Sequence, residues 1–402
     1  MLFRKKKKSL PAPANAQPVM NPYYEDVSEK LGIAQVLTFL VLLGFVVISL
    51  LRNTGMITYR NFYYFFKDLN ASVQTFDFFH TDAVSYSVDQ NQSFTLYRQG
   101  IAVAGNRSVT LFSSSGRQSI SEKIQYRNPV AVGSGKYLLI YDLGGNQYAL
   151  YNSYTCVWSG TSTRTIRGAD LSDSGSFAII TDAADYLSVV EYYNGNFGLR
   201  NRYSYQAYVT DVSINAKGTG LAVLISDANA GSFSTELRLY EPGSDRESSR
   251  TRISDSLGWT CSYTSAGNIA VLTGTEITFL NSKGEILGQD AFDGTSVKSA
   301  ELNEYGAAIL LAARERQTDC SLRIYDKNGK RQYREQIGEN YQSLSLTSGA
   351  IYLLAANGVC RVRTGSGTTD FMELAAAQCK ILGLDANRFY LCHPQKAICY
   401  RF

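Results

Sequence analysis

Histidine is almost missing from this chain: its 402 residues include only His80 and His393. The seven cysteines (Cys156, Cys261, Cys320, Cys360, Cys379, Cys392 and Cys399) contain no C-x-x-C pair. Zinc sites need closely spaced thiolates and imidazoles, so that class is excluded. A phosphate-cradling G-x-x-x-x-G-K-[ST] loop and a nucleophile elbow are also missing. "GTGLA" (218–222) and "GSGTTD" (365–370) are rich in glycine but read as β turns. No residue is therefore assigned as catalytic, cofactor-binding or metal-binding, and no cofactor is expected. His393, in a short hairpin near the C-terminus, is the one conceivable general base. The odd cysteine count leaves at least one thiol outside any intrachain pair. Scattered cysteines usually serve as small core residues, and a Cys392–Cys399 disulfide across a hairpin is the pairing to test.

Proline is also scarce, at 7 residues, whereas tyrosine (28) and glycine (33) are frequent. Tyrosine suits a pleated, half-buried surface and glycine supplies turns, so the composition leans towards β structure. Hydrophobic residues make up 45%, enough for a sizeable core. The net charge of +4 comes entirely from residues 1–52, and the remaining residues carry equal numbers of acidic and basic groups. A neutral globular part without a basic stripe speaks against nucleic acid as a partner.

One long apolar run is present. Residues 33–51 read "IAQVLTFLVLLGFVVISLL" without a charge. With Leu31 included, the run has the length of a helix that crosses a ~30 Å hydrocarbon core. A cleaved signal peptide fits poorly, because thirty residues precede the run and no small-residue cleavage site follows it. The sequence thus predicts a disordered basic tail over 1–30, a transmembrane helix over 31–52 held in the lipid bilayer, and an aromatic juxtamembrane stalk over 53–80. The five adjacent cations Arg4 to Lys8 favour a cytoplasmic tail, although Arg52, Arg60 and Lys67 beyond the span pull the local count the other way. A cytoplasmic N-terminus would leave residues 81–402 extracytoplasmic.

From residue 81 onward, short alternating strands and turns dominate. "SLRIYDKNGK" (321–330) recurs as "SVTLFSSSGR" (108–117), "ELRLYEPGS" (236–244) and "EITFLNSKGE" (276–285). Looser echoes begin at 147, 186 and 359. The turn glycines of the series are Gly116, Gly195, Gly243, Gly284, Gly329 and Gly367. A second phrase, a turn ending in glycine followed by an apolar strand, precedes each echo, as in "LSDSGSFAII" (171–180) and "LNEYGAAILLA" (302–312). Units of about forty residues with room for four strands are the size of propeller blades, and longer than usual β-helix coils. The count is eight, or seven if a boundary slips. The last unit (379–402) offers only three strands, and "DAVSYSVD" (82–89) is a spare strand able to complete it and close the ring. "EPGSDRESSRTR" (241–252) reads as a longer, mixed-charge loop.

These phrases resemble WD40-like and quinoprotein-like propeller repeats over residues 82–402. "YALYNSYTCVW" (148–158) is similar to the Ala-Leu…Trp signature of quinoprotein-type blades, whereas the Gly-His and Trp-Asp pairs of WD40 blades do not occur. The whole is similar to uncharacterised single-span bacterial proteins with an external propeller domain, a resemblance that supplies no catalytic residues. Two function classes follow: a membrane-tethered binding or scaffold module for an envelope protein or surface glycan, or an extracytoplasmic enzyme of quinoprotein-like oxidoreductase or polysaccharide-active type. An enzyme would need charged or aromatic groups converging at the ring axis.

Overall fold

Eight four-stranded antiparallel sheets follow one another along residues 84–401. The computed structural model describes residues 22–52 and 83–402, apart from 230, 245, 314–319, 338–340 and 377–378, and in 22–26, 28–29, 45–52 and 229 the backbone only. The tail before Pro22 and the aromatic stalk, His80 included, lie outside the described residues.

Blade 1 runs through Ser93–Tyr97, Gly100–Ala104, Ser108–Phe112 and Gln118–Lys123, in that order from the axis outward. Blades 2 to 7 repeat this order over 129–161, 166–205, 208–254, 258–291, 295–337 and 343–373. Each innermost strand lies beside that of the next blade, and the innermost strand of blade 8 (Lys380–Gly383) lies beside Ser93–Tyr97. The protein is an eight-bladed β-propeller.

Blade 8 takes its outermost strand from the other end of the sequence. Val84–Ser85 pairs with Lys396–Arg401, with Val84 opposite Ala397 and Ser85 opposite Lys396. Tyr86 extends the clasp by donating its N–H to Gln395 O at 3.0 Å and its hydroxyl to His393 O. The spare strand thus closes the ring where the sequence predicts, and only two of its residues form the ladder.

All seven echoed phrases fall on third strands, including Cys320–Asp326, Ser232–Tyr240 and Glu276–Leu280. Side chains alternate along a strand, so each third strand presents one face to each neighbouring blade. Leu322 and Ile324 pack with Leu344, Ile351 and Leu353 of blade 7. Tyr325 packs with Phe279 and Phe292 on the blade 5 side. Arg323, on that same face, is only 2% exposed. It donates to Asp290 Oδ1 at 3.0 Å and to Ala291 O, with its guanidinium over the Phe292 ring. The alternation does not divide buried from solvated here, because both faces are blade interfaces.

Gly329 has φ +81°, and a Cβ there would stand 2.6 Å from the Phe279 ring of blade 5, so glycine is required twice over. Blade 3 departs from the expected glycine. Gly195 is not the left-handed residue of its turn; Phe197 is, with φ +63°. Phe197 N donates to Asn194 O at 2.8 Å, the bond that Gly116 N makes to Ser113 O in blade 1. The Phe197 ring is held against Tyr137 and Trp158, with centroids 5.4 and 6.1 Å away. "EPGSDRESSRTR" also departs from expectation: from Glu247 to Ser254 it is the outermost strand of blade 4, and Arg250 pairs with Glu247 at 2.9 Å. The two glycine-rich stretches do form turns, with Gly218 and Gly367 left-handed.

The N-terminal helix spans Pro22–Arg52 and therefore begins before the expected Leu31. Proline is well suited to a first helical position. Its described apolar side chains, Leu31 through Leu43, are exposed on every side of the helix. Among the described residues no helix is long and apolar enough to cross a membrane, and the side chains that complete the apolar run (45–51) are outside that description.

Candidate interaction face and ring axis

Antiparallel pairing leaves one edge of every innermost strand without a ladder partner, so its N–H groups need other acceptors. Side chains of the preceding blade supply them. Ser93 Oγ accepts from Ala131 N at 3.1 Å, and Asp170 Oδ2 accepts from Ile214 N at 2.7 Å. Asp211 Oδ2 accepts from Cys261 N at 3.0 Å and Thr260 Oγ1 at 2.6 Å. Glu301 Oε2 accepts from Leu346 N at 3.0 Å, and Ser345 Oγ from Gly383 N at 2.9 Å. Among the described residues, these bonds staple five of the eight joints.

Asp170, Asp211 and Glu301 keep a sliver of accessible surface yet lie deep in protein. Depth is what governs their ionisation. Burial pushes all three upward, Asp211 to about 6, with Asp170 adding a smaller push on Asp211. These carboxylates are at the axis, but each is committed to the backbone of the next blade. They act as joints between blades.

His393 lies where the last hairpin turns, with Nδ1 3.1 Å from Cys379 Sγ. Burial lowers the imidazole below its ordinary value and raises the thiol above its own. Both shifts favour a neutral thiol beside a neutral imidazole, the opposite of an activated thiolate–imidazolium pair. Cys392 and Cys399 share a face, but Cys392 opposes Ala397 and Cys399 opposes Tyr390. That offset separates them along the ladder, and both are thiols. Among the described residues no group of histidine, cysteine and carboxylate side chains is arranged to hold a metal ion.

The ring has two unlike ends. Turns from first to second and from third to fourth strands form the lower end. Loops from second to third strands, with the linkers to the next blade, form the upper end. At the upper end the innermost strands of blades 3 to 6 each carry a bulge, whose extra residue is Arg167, Thr210, Trp259 or Lys298 in turn. A bulge frees a side chain from the pleat and re-aims it, and Trp259 is 43% exposed. The same end exposes Leu257 in the linker from blade 4, Tyr208 at the start of the blade 4 inner strand, and Phe233 in the blade 4 hairpin. Tyr186 and Leu187 in the blade 3 loop extend the series.

Hydrogen bonds join these loops. Gln206 Nε2 donates to Asp185 O at 3.3 Å, and Thr235 Oγ1 to Ser256 O at 2.6 Å. Gly258 N donates to Ser226 Oγ at 3.0 Å, and Gly274 N to Leu257 O at 3.0 Å. The middle strands of blade 4, Leu221–Asn229 and Ser232–Tyr240, run three residues past the Ser226–Thr235 pair. At ~3.3 Å per residue that hairpin rises roughly 10 Å above its own base, where Tyr208 opposes Ser226. The result is an apolar ledge with a wall, spread over blades 3 to 5.

A family of unknown function, DUF5711, has a profile that matches residues 75–398. The chain belongs to the DUF5711 family. No curated protein matches it. Solved structures share the fold at low identity. Sqt1 of Chaetomium thermophilum, bound to the N-terminus of ribosomal protein L10, is 10% identical with a TM-score of 0.54, over 80% of this chain and 100% of that one. BamB of Moraxella catarrhalis is 10% identical with a TM-score of 0.52, over the same shares. The chain is therefore similar to WD40 and BamB-like propellers in architecture, and the family assigns it no activity.

Sequence reasoning missed both the inter-blade staples and the apolar ledge. The staples join residues more than thirty positions apart, and the ledge draws one or two residues from each of several loops. The one visible signal was Trp259 standing beside a glycine at the start of an innermost strand.

Proposed function

We propose that this protein is a membrane-anchored, extracytoplasmic β-propeller that serves as a binding or scaffold module of the cell envelope. The exposed apolar ledge on the upper end of blades 3 to 5 carries the binding reading. Large apolar side chains exposed on neighbouring loops mark interaction sites in soluble domains, and here they sit on a ring whose axial carboxylates Asp170, Asp211 and Glu301 are engaged in joining blades. An envelope protein is the favoured partner class over a surface glycan.

The anchor rests on the uncharged run 33–51. It falls inside the helix Pro22–Arg52, and the side chains that complete it, 45–51, lie outside the described residues. The basic tail Arg4 to Lys8 supports a cytoplasmic N-terminus.

Two treatments of cells making the full chain test this reading. Alkaline carbonate washing is expected to leave the protein in the membrane pellet, and release into the wash would remove the anchor. External protease is expected to degrade the propeller in intact cells. Survival of the propeller until lysis would place it on the other side of the membrane.

A further inference from the structure

We infer that the ledge over blades 3 to 5 receives a protein segment that combines apolar side chains with lysine or arginine. The inference rests on the binding-module reading and adds the chemistry of the partner.

The charge around the ledge carries it. The described residues of the loops that build the surface, 182–187, 206–208, 227–229, 231–234, 255–259 and 274–276, include Asp182, Asp185, Asp227, Asp255 and Glu276 and not one lysine or arginine. Among the described residues two cations at its margin are already engaged: Arg167 pairs with Asp182 at 2.8 Å, and Arg252 with Asp255. Arg164 and Lys298 stand on the joints beyond either end. Among the described residues Asp185, Asp227 and Glu276 have no ion-pair partner. An apolar floor with unneutralised carboxylates at its edge is complementary to a cationic amphipathic segment. It repels an anionic bilayer, whose surface attracts basic and not acidic loops. Tyr208, Phe233 and Trp259 are the anchors: tyrosine and tryptophan dominate interface energetics, and these rings flank the rising hairpin. A glycan suits the ledge less well, since Leu187, Leu257 and Phe233 offer it no hydrogen-bonding group.

The test uses the full chain in lipid discs of zwitterionic composition. Trp158→Phe makes Trp259 the sole tryptophan, because the chain has two. The discs are panned against a random displayed-peptide library, and the enriched peptides are synthesised and titrated by tryptophan fluorescence. The expected peptides pair apolar residues with lysine or arginine, perturb Trp259 emission, and bind more weakly as salt rises. Tyr208→Ala and Trp259→Ala, the latter read by labelled-peptide anisotropy, are each expected to weaken binding roughly thirtyfold, the size of a lost hot spot. Asp185→Lys with Asp227→Lys is expected to weaken it and to flatten the salt dependence. Ile286→Ala and Phe371→Ala, exposed outside the ledge, serve as controls expected to change nothing. Because all these side chains are exposed, unfolding curves are expected to match the parent and confirm that the variants fold.

Enrichment of acidic or uncharged peptides overturns the inference. So does a basic peptide whose affinity survives Tyr208→Ala and Trp259→Ala, although that result leaves the binding-module reading standing. A library that yields nothing, with binding instead to a glycan array or to anionic vesicles, overturns the peptide partner and keeps a binding module. Absence of binding to all three probes overturns both.

Discussion

Innermost and third strands solve the same problem, joining one blade to the next, by different chemistry. Third strands do it with alternating apolar side chains that fill both interfaces, as Leu322 and Tyr325 do on opposite faces of one strand. Innermost strands also pack apolar side chains, as Val212 and Leu344 do, and add a second device near the axis. They use carboxylates and hydroxyls of one blade to satisfy backbone N–H groups of the next. Packing recurs in the sequence because the same apolar spacing works at every joint. The polar staples vary, with serine at some joints, aspartate or glutamate at others, since any short acceptor at the right height is sufficient.

The contrast can be broken at either strand. The largest loss is expected from Leu322→Ala, a fully buried leucine between blades 6 and 7, at about 2–5 kcal/mol of unfolding free energy. Asp211→Ala is expected to cost less, about 1–3 kcal/mol, because it strands the buried donors of Cys261 and Thr260. Asp211→Asn keeps an acceptor and is expected to cost less again. Denaturant titrations would rank the three, and an alanine at Asp211 costlier than one at Leu322 would reverse the comparison.

The same carboxylates sharpen it through pH. Asp211 holds its proton more firmly in the folded protein, so its stabilising contribution is complete below its ordinary value of 3.8 and is lost as pH rises through about 6. Asp170 and Glu301 shift in the same direction. The denaturation midpoint is therefore expected to fall between those pH values, and Asp211→Asn is expected to reduce that slope. Asp290, Asp370 and Asp385 shift downward and act in the opposite sense, so the decisive comparison is between the two proteins: an Asp211→Asn midpoint that tracks the parent's across the window would reject the burial account. The smallest effect is expected at the lower end of blade 3. Phe197→Gly relieves a left-handed φ but gives up the rings of Tyr137 and Trp158. These opposed terms of about 1 kcal/mol each leave a net change near zero by thermal melting.

Much of the ring was legible because its strands are local. The spacing of third strands, the number of blades and the clasp by residues near 84 all follow from short patterns with turn residues between them. Arg323 shows where that reading stops. It looks like a solvent-facing residue of an amphipathic strand, and only the adjacent blade, with Asp290 thirty-three positions away, makes it a buried one. Phe197 shows a second limit: ring contacts with Tyr137 and Trp158 hold a phenylalanine where the neighbouring turns use glycine. The ledge was the least legible of all, because bulges that extrude Trp259 and Thr210 leave no mark in hydrophobic periodicity.

The clasp has a mechanical consequence. Among the described residues Val84–Ser85 is the shortest strand of the ring and the first one that follows the helix Pro22–Arg52 in sequence. Of the described pairings, the ladder of Val84 opposite Ala397 is then the first that tension along the polypeptide from that helix meets. The load falls on two residues and the Tyr86 bonds before it reaches any four-stranded blade. A pull from the helix would therefore unfasten blade 8 first, leaving Lys396–Arg401 as an open edge while blades 1 to 7 still hold their own strands. In this chain the seam that completes the circle doubles as its weakest point under force.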